Sequence, residues 1–237
     1  MVGHIPLEDG IGVRVPGRQL VRLRYYRAMK LLKEINSIEV KRAFVIADHI
    51  TQRKNLGNNH KFLKDLPEKA FDKKLQSAKK AIFKLKPASL DKLVTPKWPK
   101  RIKAYNESRW FLAEASPKEL GVWSKAGRLP LEWTRGSLLE TAKKVKEGLE
   151  KKSKLIKDRP RHSIPNILKI KAHLDQKEKY LFPIVFKTDT GTRGRKRLKR
   201  KMKGDIDDGC MRSIALAISG RNPITIYFGI PKKRLAK

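Results

Sequence analysis

Cysteine is almost absent from this sequence, which has Cys210 alone among 237 residues. One cysteine excludes an internal disulfide bond and any zinc site built on several thiolates. We therefore expect a reducing environment: the cytoplasm, the nucleus, an organelle matrix, or a virion assembled in one of them.

Long apolar runs are absent too. No stretch approaches the roughly 18 apolar residues that a membrane-spanning helix needs. Residues 1–17 contain no basic segment followed by an apolar one, so we expect no secretory signal, and Glu8 and Asp9 argue against a transit peptide. No helical pattern pairs a basic face with a wide apolar face, which makes a peripheral membrane protein the least favoured class.

Motifs that define many enzymes and binding modules are also missing. The sequence has no phosphate-binding loop, no glycine pattern for dinucleotides and no HExxH pair of histidines. It has no zinc finger, no aromatic motif of RNA-recognition domains and no leucine zipper. We therefore expect no cofactor, and we favour a binding role over catalysis.

Acidic residues are few beside the basic ones. The chain has 23 Asp and Glu against 58 Lys and Arg, a formal net charge of +35. Repulsion at that level opposes a compact chain unless counterions or a polyanion screen it. Nucleic acid is the favoured polyanion, because each phosphate contact releases condensed counterions.

The N-terminal two thirds of the chain are predicted to be mostly helical. Glycine and proline make residues 1–17 an extended arm. Apolar steps of three and four predict a first helix from Arg18 to Ile35, and Ser37 is the predicted N-cap of a second, to about Lys54. A third helix begins near Asp65, with an apolar stripe of Phe71, Leu75, Ala78, Ile82 and Leu85.

The middle of the chain contains two capping-box patterns and all four tryptophans. Ser116–Glu119 and Ser137–Glu140 each predict a helix start. Trp98 and Trp123 have polar or basic neighbours, so they are the tryptophans to test for base stacking.

After Pro165 the apolar period changes from helical to alternating. Residues 168–174 and 180–188 are predicted strands, and Pro183 places the second at a sheet edge. A helix from Ile206 to Ser219, with Gly220 at its end, and a last strand at 224–230 follow. The predicted fold class is α+β, mostly helical over the N-terminal two thirds, with a small C-terminal β-β-α-β unit. The predicted regions are the arm 1–17, a basic helical region 18–160, and a small α/β unit 161–237 with a basic loop at 187–203.

The basic loop is the first candidate site. Asp189 is its only carboxylate, so internal pairing is scarce, and blocks of like charge commonly mark interaction segments. We expect it to follow a phosphate backbone with Arg193, Arg195, Lys196, Arg197, Lys199, Arg200, Lys201 and Lys203. A second patch, Arg18, Arg22, Arg24 and Arg27, lies beside Tyr25 and Tyr26, which are equally compatible with base stacking and with the core.

Asp205 and Asp207 follow the basic loop directly and allow two interpretations. They can cap the next helix, which we favour, or hold Mg²⁺ in a nuclease. A strand, a basic loop, the run Asp205-Ile206-Asp207-Asp208 and a helix resemble the Asp-x-Asp-Asn helix start of RusA-type Holliday-junction nucleases. Asp208 stands where that family has Asn, and Arg212 where it has Lys. The resemblance implies a Mg²⁺-dependent resolvase in which Asp205 and Asp207 are catalytic.

Cys210 lies in a segment, DDGCMRSIA, that resembles the nucleophile signature of OTU-type and viral papain-like cysteine proteases. The glycine and cysteine are adjacent here, and no histidine follows Cys210. A thiol needs a base to become a nucleophile, so we reject the protease interpretation and expect a buried residue on a helix.

The sequence as a whole predicts a structural nucleic-acid-binding protein that neutralises a phosphate backbone. RNA is favoured over DNA, within a ribonucleoprotein particle such as a ribosome or a viral capsid or nucleocapsid. Other proteins of that particle, or further copies of this chain, are compatible partners.

Overall fold

The computed structural model describes residues 29–51, 68–95, 99–156, 163–187 and 202–232. The predicted arm, most of the first predicted helix and residues 188–201 of the basic loop lie outside these ranges.

In the part of the chain that the structure describes, six strands form one mixed sheet in the order β1-β2-β6-β4-β5-β3. β1 and β6 are antiparallel to β2, β4 is parallel to β6, β5 is antiparallel to β4, and β3 is parallel to β5. The strands are β1 (Lys30–Ile35), β2 (Ser108–Ala115), β3 (Leu120–Gly121), β4 (Ile184–Phe186), β5 (Gly204–Asp208) and β6 (Ile224–Pro231).

This sheet corrects the predicted fold class. A small C-terminal β-β-α-β unit is wrong, because β1, β2 and β3 come from before residue 160 and belong to the same sheet as β4, β5 and β6. The pairing of β2 with β6 runs from Ser108 opposite Pro231 to Ala115 opposite Ile224, so the sheet joins distant parts of the chain along eight residues of each strand.

Four helices pack against one face of the sheet, and the first of two hydrophobic cores lies between them and the sheet. They are α1 (Ser37–Thr51), α2 (Glu68–Phe83), α3 (Pro87–Val94) and α4 (Pro99–Asn106). Their apolar side chains pack against Trp110, Ile184, Phe186 and Tyr227 of the sheet. Lys41 Nζ also contacts Asp91 Oδ1 at 2.6 Å and ties α1 to α3.

The second core lies on the other face of the sheet. Its helices include α5 (Leu131–Thr134), α6 (Leu138–Glu150), α7 (Ile164–Lys169), α8 (Lys171–Leu174) and α9 (Cys210–Ile218). Val185, Ile206, Ile226 and Phe228 are its buried sheet residues. Adjacent residues Val185 and Phe186, or Tyr227 and Phe228, therefore enter opposite cores, as the alternation of a strand requires.

Several predicted elements are confirmed. α1 begins at Ser37, although its cap is Asn36, whose side-chain oxygen accepts the Ile38 N–H at 2.9 Å. On α2, the stripe from Phe71 to Ile82 is buried. The Ser137–Glu140 capping box begins α6. α9 ends with Gly220 at φ +81°, where the Arg221 N–H donates to the Leu216 carbonyl.

Other predicted elements are wrong. Residues 30–35 pair with β2 as a strand, although Leu32 and Ile35 follow a helical step. The Ser116 pattern forms a turn that leads into β3, and residues 168–174 lie in α7 and α8, which follow the Ser163 cap. Pro183 does not mark an edge, because β4 is an interior strand; the Pro183 carbonyl accepts the Tyr227 N–H.

Candidate nucleic-acid interface

The basic loop connects two interior strands, β4 and β5, and both of its ends are fixed. The Lys187 N–H donates to the Gly229 carbonyl at 3.0 Å, and the Lys203 N–H donates to the Glu119 carbonyl at 2.9 Å. Lys203 Nζ also lies 3.1 Å from Glu119 Oε1. Both ends of the loop are therefore anchored in interior strands of the sheet.

Most of the predicted phosphate-binding residues fall outside the described ranges. Of the loop set, Lys203 is described, and there it forms an ion pair with Glu119. The residues of the set that lie outside are Arg193, Arg195, Lys196, Arg197, Lys199, Arg200 and Lys201. The second patch, Arg18, Arg22, Arg24 and Arg27, and Trp98 lie outside as well. Trp123 is described and packs against the second core.

Asp205 and Asp207 do not cap α9, so the favoured capping interpretation is wrong. Both belong to β5, and the N-cap of α9 is Gly209 at φ +86°. The capping pattern misled because the strand and the helix are separated by this one residue. The pairing of β5 with β4 shifts by one residue at Asp207, since Ile184 opposes Asp208 and Val185 opposes Ile206. Such a bulge redirects a side chain.

The carboxylate of Asp207 is buried against α4. Asp207 Oδ2 lies 3.0 Å from Arg101 Nε, and the two side chains are only 3% and 5% exposed. The Tyr105 hydroxyl donates to the same oxygen at 3.3 Å, and the Arg101 guanidinium lies 4.6 Å from the centre of the Phe44 ring. Burial lowers the pKa of Arg101 and the charge of Asp207 raises it, with a net rise. Arg101 therefore stays charged and forms a buried ion pair with Asp207.

The other two aspartates of β5, Asp205 and Asp208, are less buried than Asp207. Arg212 Nη2, in the first turn of α9, donates a hydrogen bond to Asp208 Oδ2 at 3.2 Å. Asp205 is half-buried. Among the described residues, no group of three His, Cys, Asp or Glu side chains is placed to hold a metal ion. The expectation of no cofactor stays a prediction.

Cys210 is buried at the start of α9, as predicted. It is 6% exposed, and its Sγ lies 3.8 Å from the Ile206 carbonyl oxygen. It packs in the second core with Ile206 and Ile214. Its surroundings are those of a small apolar residue.

Ten acidic side chains of the described ranges form ion pairs within the protein. Carboxylates with a basic partner are Glu34, Glu39, Asp91, Glu107, Glu114, Glu119, Asp175, Glu178, Asp207 and Asp208. The Arg109 hydrogen bond lowers the pKa of Glu34, so that carboxylate is held in its charged form. These ten acids are therefore already paired and do not neutralise the remaining lysines.

Exposed lysines concentrate on two helical segments. Residues 72–86, which include most of α2, contain six lysines and the single acid Asp72. Residues 143–154, at the end of α6, contain six lysines and two glutamates. Lys73, Lys80, Lys84 and Lys86 are exposed and form no ion pair with any residue of the described ranges. We call these four residues the α2 lysine face.

Phe83 is a functional candidate that the sequence prediction missed. It is 57% exposed at the end of α2, beside the buried Ile82. The signal was available, because Phe83 falls outside the stripe of Phe71, Leu75, Ala78 and Ile82. An aromatic residue off the apolar stripe of a lysine-rich helix is expected at the surface.

Comparisons with protein-family models, with curated proteins and with solved structures found no match to this chain. Within the described ranges, no helix has the length and apolar content needed to cross a bilayer.

Proposed function

We propose that this protein is a structural nucleic-acid-binding protein that neutralises a phosphate backbone, with RNA favoured over DNA. The observation that carries the proposal is the net charge of +35. This excess of basic residues favours an external polyanion, because repulsion among like charges opposes a compact chain. A ribonucleoprotein particle, such as a ribosome or a viral capsid or nucleocapsid, is the proposed setting.

The proposed contacts are the basic loop 187–203 and the N-terminal patch of Arg18, Arg22, Arg24 and Arg27. The anchoring of both loop ends in β4 and β5 supports the basic loop as a contact, because the paired strands limit the motion of those ends. Phosphate contacts of this kind position a nucleic acid without reading its sequence.

The described geometry favours binding over Mg²⁺-dependent cleavage. Asp207, one of the two carboxylates on which the nuclease alternative depends, already pairs with Arg101. Magnesium ligation would leave that buried guanidinium without its partner, at a large cost in free energy. Asp205→Asn is therefore the cleaner test of the nuclease, since Asp205 is only half-buried and Asp207→Asn disturbs the fold.

A salt series tests the proposal. Affinity for single-stranded RNA, duplex RNA and duplex DNA is measured over a range of salt, with and without Mg²⁺. We expect affinity to fall steeply with salt, no cleavage, and a preference for RNA. Mg²⁺-dependent cleavage that disappears in Asp205→Asn contradicts the proposal, and so does affinity that is independent of salt.

A further inference from the structure

Phe83 presents an exposed aromatic ring at the end of α2. Among the described residues, the large apolar side chains that are exposed are Leu32 at 42%, Leu155 at 49% and Phe83 at 57%. The preceding residue, Ile82, is fully buried and fixes the backbone of this turn. An exposed aromatic ring on a fixed backbone binds a flat partner with little loss of side-chain freedom.

Arg42 of α1 packs against one face of the Phe83 ring. Its guanidinium carbon lies 4.9 Å from the centre of the Phe83 ring, and its Nη2 donates a hydrogen bond to the Phe83 carbonyl at 3.0 Å. Within the described ranges Arg42 has no carboxylate partner. Arg42 and Phe83 thus form a fixed cation–aromatic pair whose positive charge is not neutralised by a neighbouring acid.

The α2 lysine face adds further positive charge along α2 and in the turn after Phe83. Lys80 precedes Phe83 by three residues on the helix, so their side chains are neighbours on its surface. Lys84 and Lys86 follow in the turn that leads to α3. From Lys73 to Lys84 the face extends about 16 Å, at the rise of an α-helix.

We propose that Phe83 stacks against an unpaired base of a single-stranded nucleic acid, while Arg42, Lys80, Lys84 and Lys86 contact the adjacent phosphates. This inference rests on the proposed function and specifies it. Single-strand binding proteins combine these two elements, aromatic rings for bases and a cationic track for the backbone. A base stacked within a duplex offers no free face to Phe83, so the ligand is single-stranded.

Charge complementarity favours nucleic acid over a lipid bilayer at this surface. One aromatic ring among lysines offers little apolar area for insertion between acyl chains. The four lysines and Arg42 match a chain of regularly spaced phosphates instead.

The test uses the full chain and two probes of equal length and charge. One is single-stranded oligoadenylate of about 12 nucleotides, within the site sizes of single-strand binding proteins. The other is the same oligomer without bases.

We expect Phe83→Ala to weaken binding of oligoadenylate by about 5-fold to 150-fold, the usual effect of losing one stacked base, and to leave the abasic oligomer unaffected. Phe83→Trp should keep or improve the affinity for oligoadenylate. The control, Leu155→Ala, should change neither affinity.

Each contrary outcome has a distinct meaning. If Phe83→Ala leaves the affinity for oligoadenylate unchanged, or weakens both probes equally, the stacking inference is wrong while nucleic-acid binding stands. If the unaltered protein binds neither probe, the proposed function fails as well. Binding to vesicles of phosphatidylcholine and phosphatidylserine that Phe83→Ala abolishes, with both oligomers unaffected, would assign Phe83 to a membrane contact instead.

Discussion

At the scale of single residues, the Arg101–Asp207 pair is the feature with the largest expected effect on stability. Both side chains are almost completely buried, and they join α4 to β5 across the first core. Removal of both charges from water is costly, and their attraction compensates only while both are present. The pair is therefore a weak net stabiliser, but loss of one partner strands a buried charge.

Asp207→Asn should lower the free energy of unfolding by about 3–5 kcal/mol, because Arg101 is left buried without a counter-charge. Arg101→Met should have a similar effect, and the double variant Arg101→Met, Asp207→Leu should cost clearly less than the sum. Urea denaturation measures all three. The control is Asp175→Asn, which breaks an exposed pair with Lys177 and should cost no more than about 1 kcal/mol. An Asp207→Asn protein as stable as the unaltered one would refute this role.

The capping box of α6 provides a second test at this scale. The Ser137 hydroxyl accepts the Glu140 N–H at 3.2 Å, and the Ser137 N–H donates to Glu140 Oε2 at 2.6 Å. Ser137→Ala should cost about 1 kcal/mol in thermal or urea unfolding. Ser116→Ala is the matched control: it has the same Ser-x-x-Glu spacing but begins a turn, and it should cost less. Equal decreases in the free energy of unfolding for the two variants would show that the capping box adds no stability beyond that of the Ser116 turn.

The same box has a predicted pH dependence. Hydrogen bonds from the Ser137 N–H and hydroxyl lower the pKa of Glu140 from its ordinary 4.5. A lowered folded-state pKa means that the carboxylate stabilises the fold above pH 4.5, and that this stabilisation is lost as pH falls through the folded pKa. The stability difference between the unaltered protein and Glu140→Gln should therefore be present at neutral pH and shrink below pH 4.5. A difference that grows with acid contradicts the assignment.

At the scale of elements, local signals predicted what local interactions decide. The stripe of α2, the capping box of α6 and the glycine after α9 depend on residues within a few positions of one another. The apolar periodicity or the terminal residues predicted each of these elements, because the groups involved are neighbours in sequence as well as in space.

The sheet was not predictable in the same way, since its pairs are distant in sequence. β1 is recognisable as a strand only through β2, about 80 residues later. β4 has three residues, and Ile184, Val185 and Phe186 are all buried, so no alternation separates its faces. The pairing of Asp207 with Arg101 likewise depends on the docking of α4, which no local pattern around Asp207 reveals.

Gly229 tests the packing of the interior strands. It lies on β6 between β2 and β4, and a Cβ there would come within 2.9 Å of both Trp110 and Phe186. Both rings are buried in the first core and contact each other, with ring centres 4.9 Å apart. Gly229→Ala should therefore cost about 1–3 kcal/mol in urea denaturation through overpacking. An equally stable Gly229→Ala protein would mean that the rings can shift and that this part of the core is loosely packed.

At the scale of the whole molecule, charge dominates. A net charge of +35 opposes compaction, and ten of the described carboxylates already have basic partners. The basic loop is a candidate from the sequence alone, as a block of like charge, and its role stays a prediction; Phe83 became a candidate through its exposure and its contact with Arg42. We propose that the basic loop binds phosphates, unlike the lysines near the end of α6, which are only solvated.

The most direct measurement is the salt dependence of binding to single-stranded RNA for two variants with the same change in charge. One is Arg195→Gln, Lys196→Gln, Arg197→Gln, Lys199→Gln in the loop; the control is Lys143→Gln, Lys146→Gln, Lys151→Gln, Lys154→Gln near the end of α6. Each lost phosphate contact reduces the slope of log K against log salt by about 0.7, so the loop variant should be flatter by up to about 3 and bind more weakly, while the control keeps its slope. A loop variant with an unchanged slope, or a control whose slope flattens equally, would show that the loop is not the phosphate-binding segment.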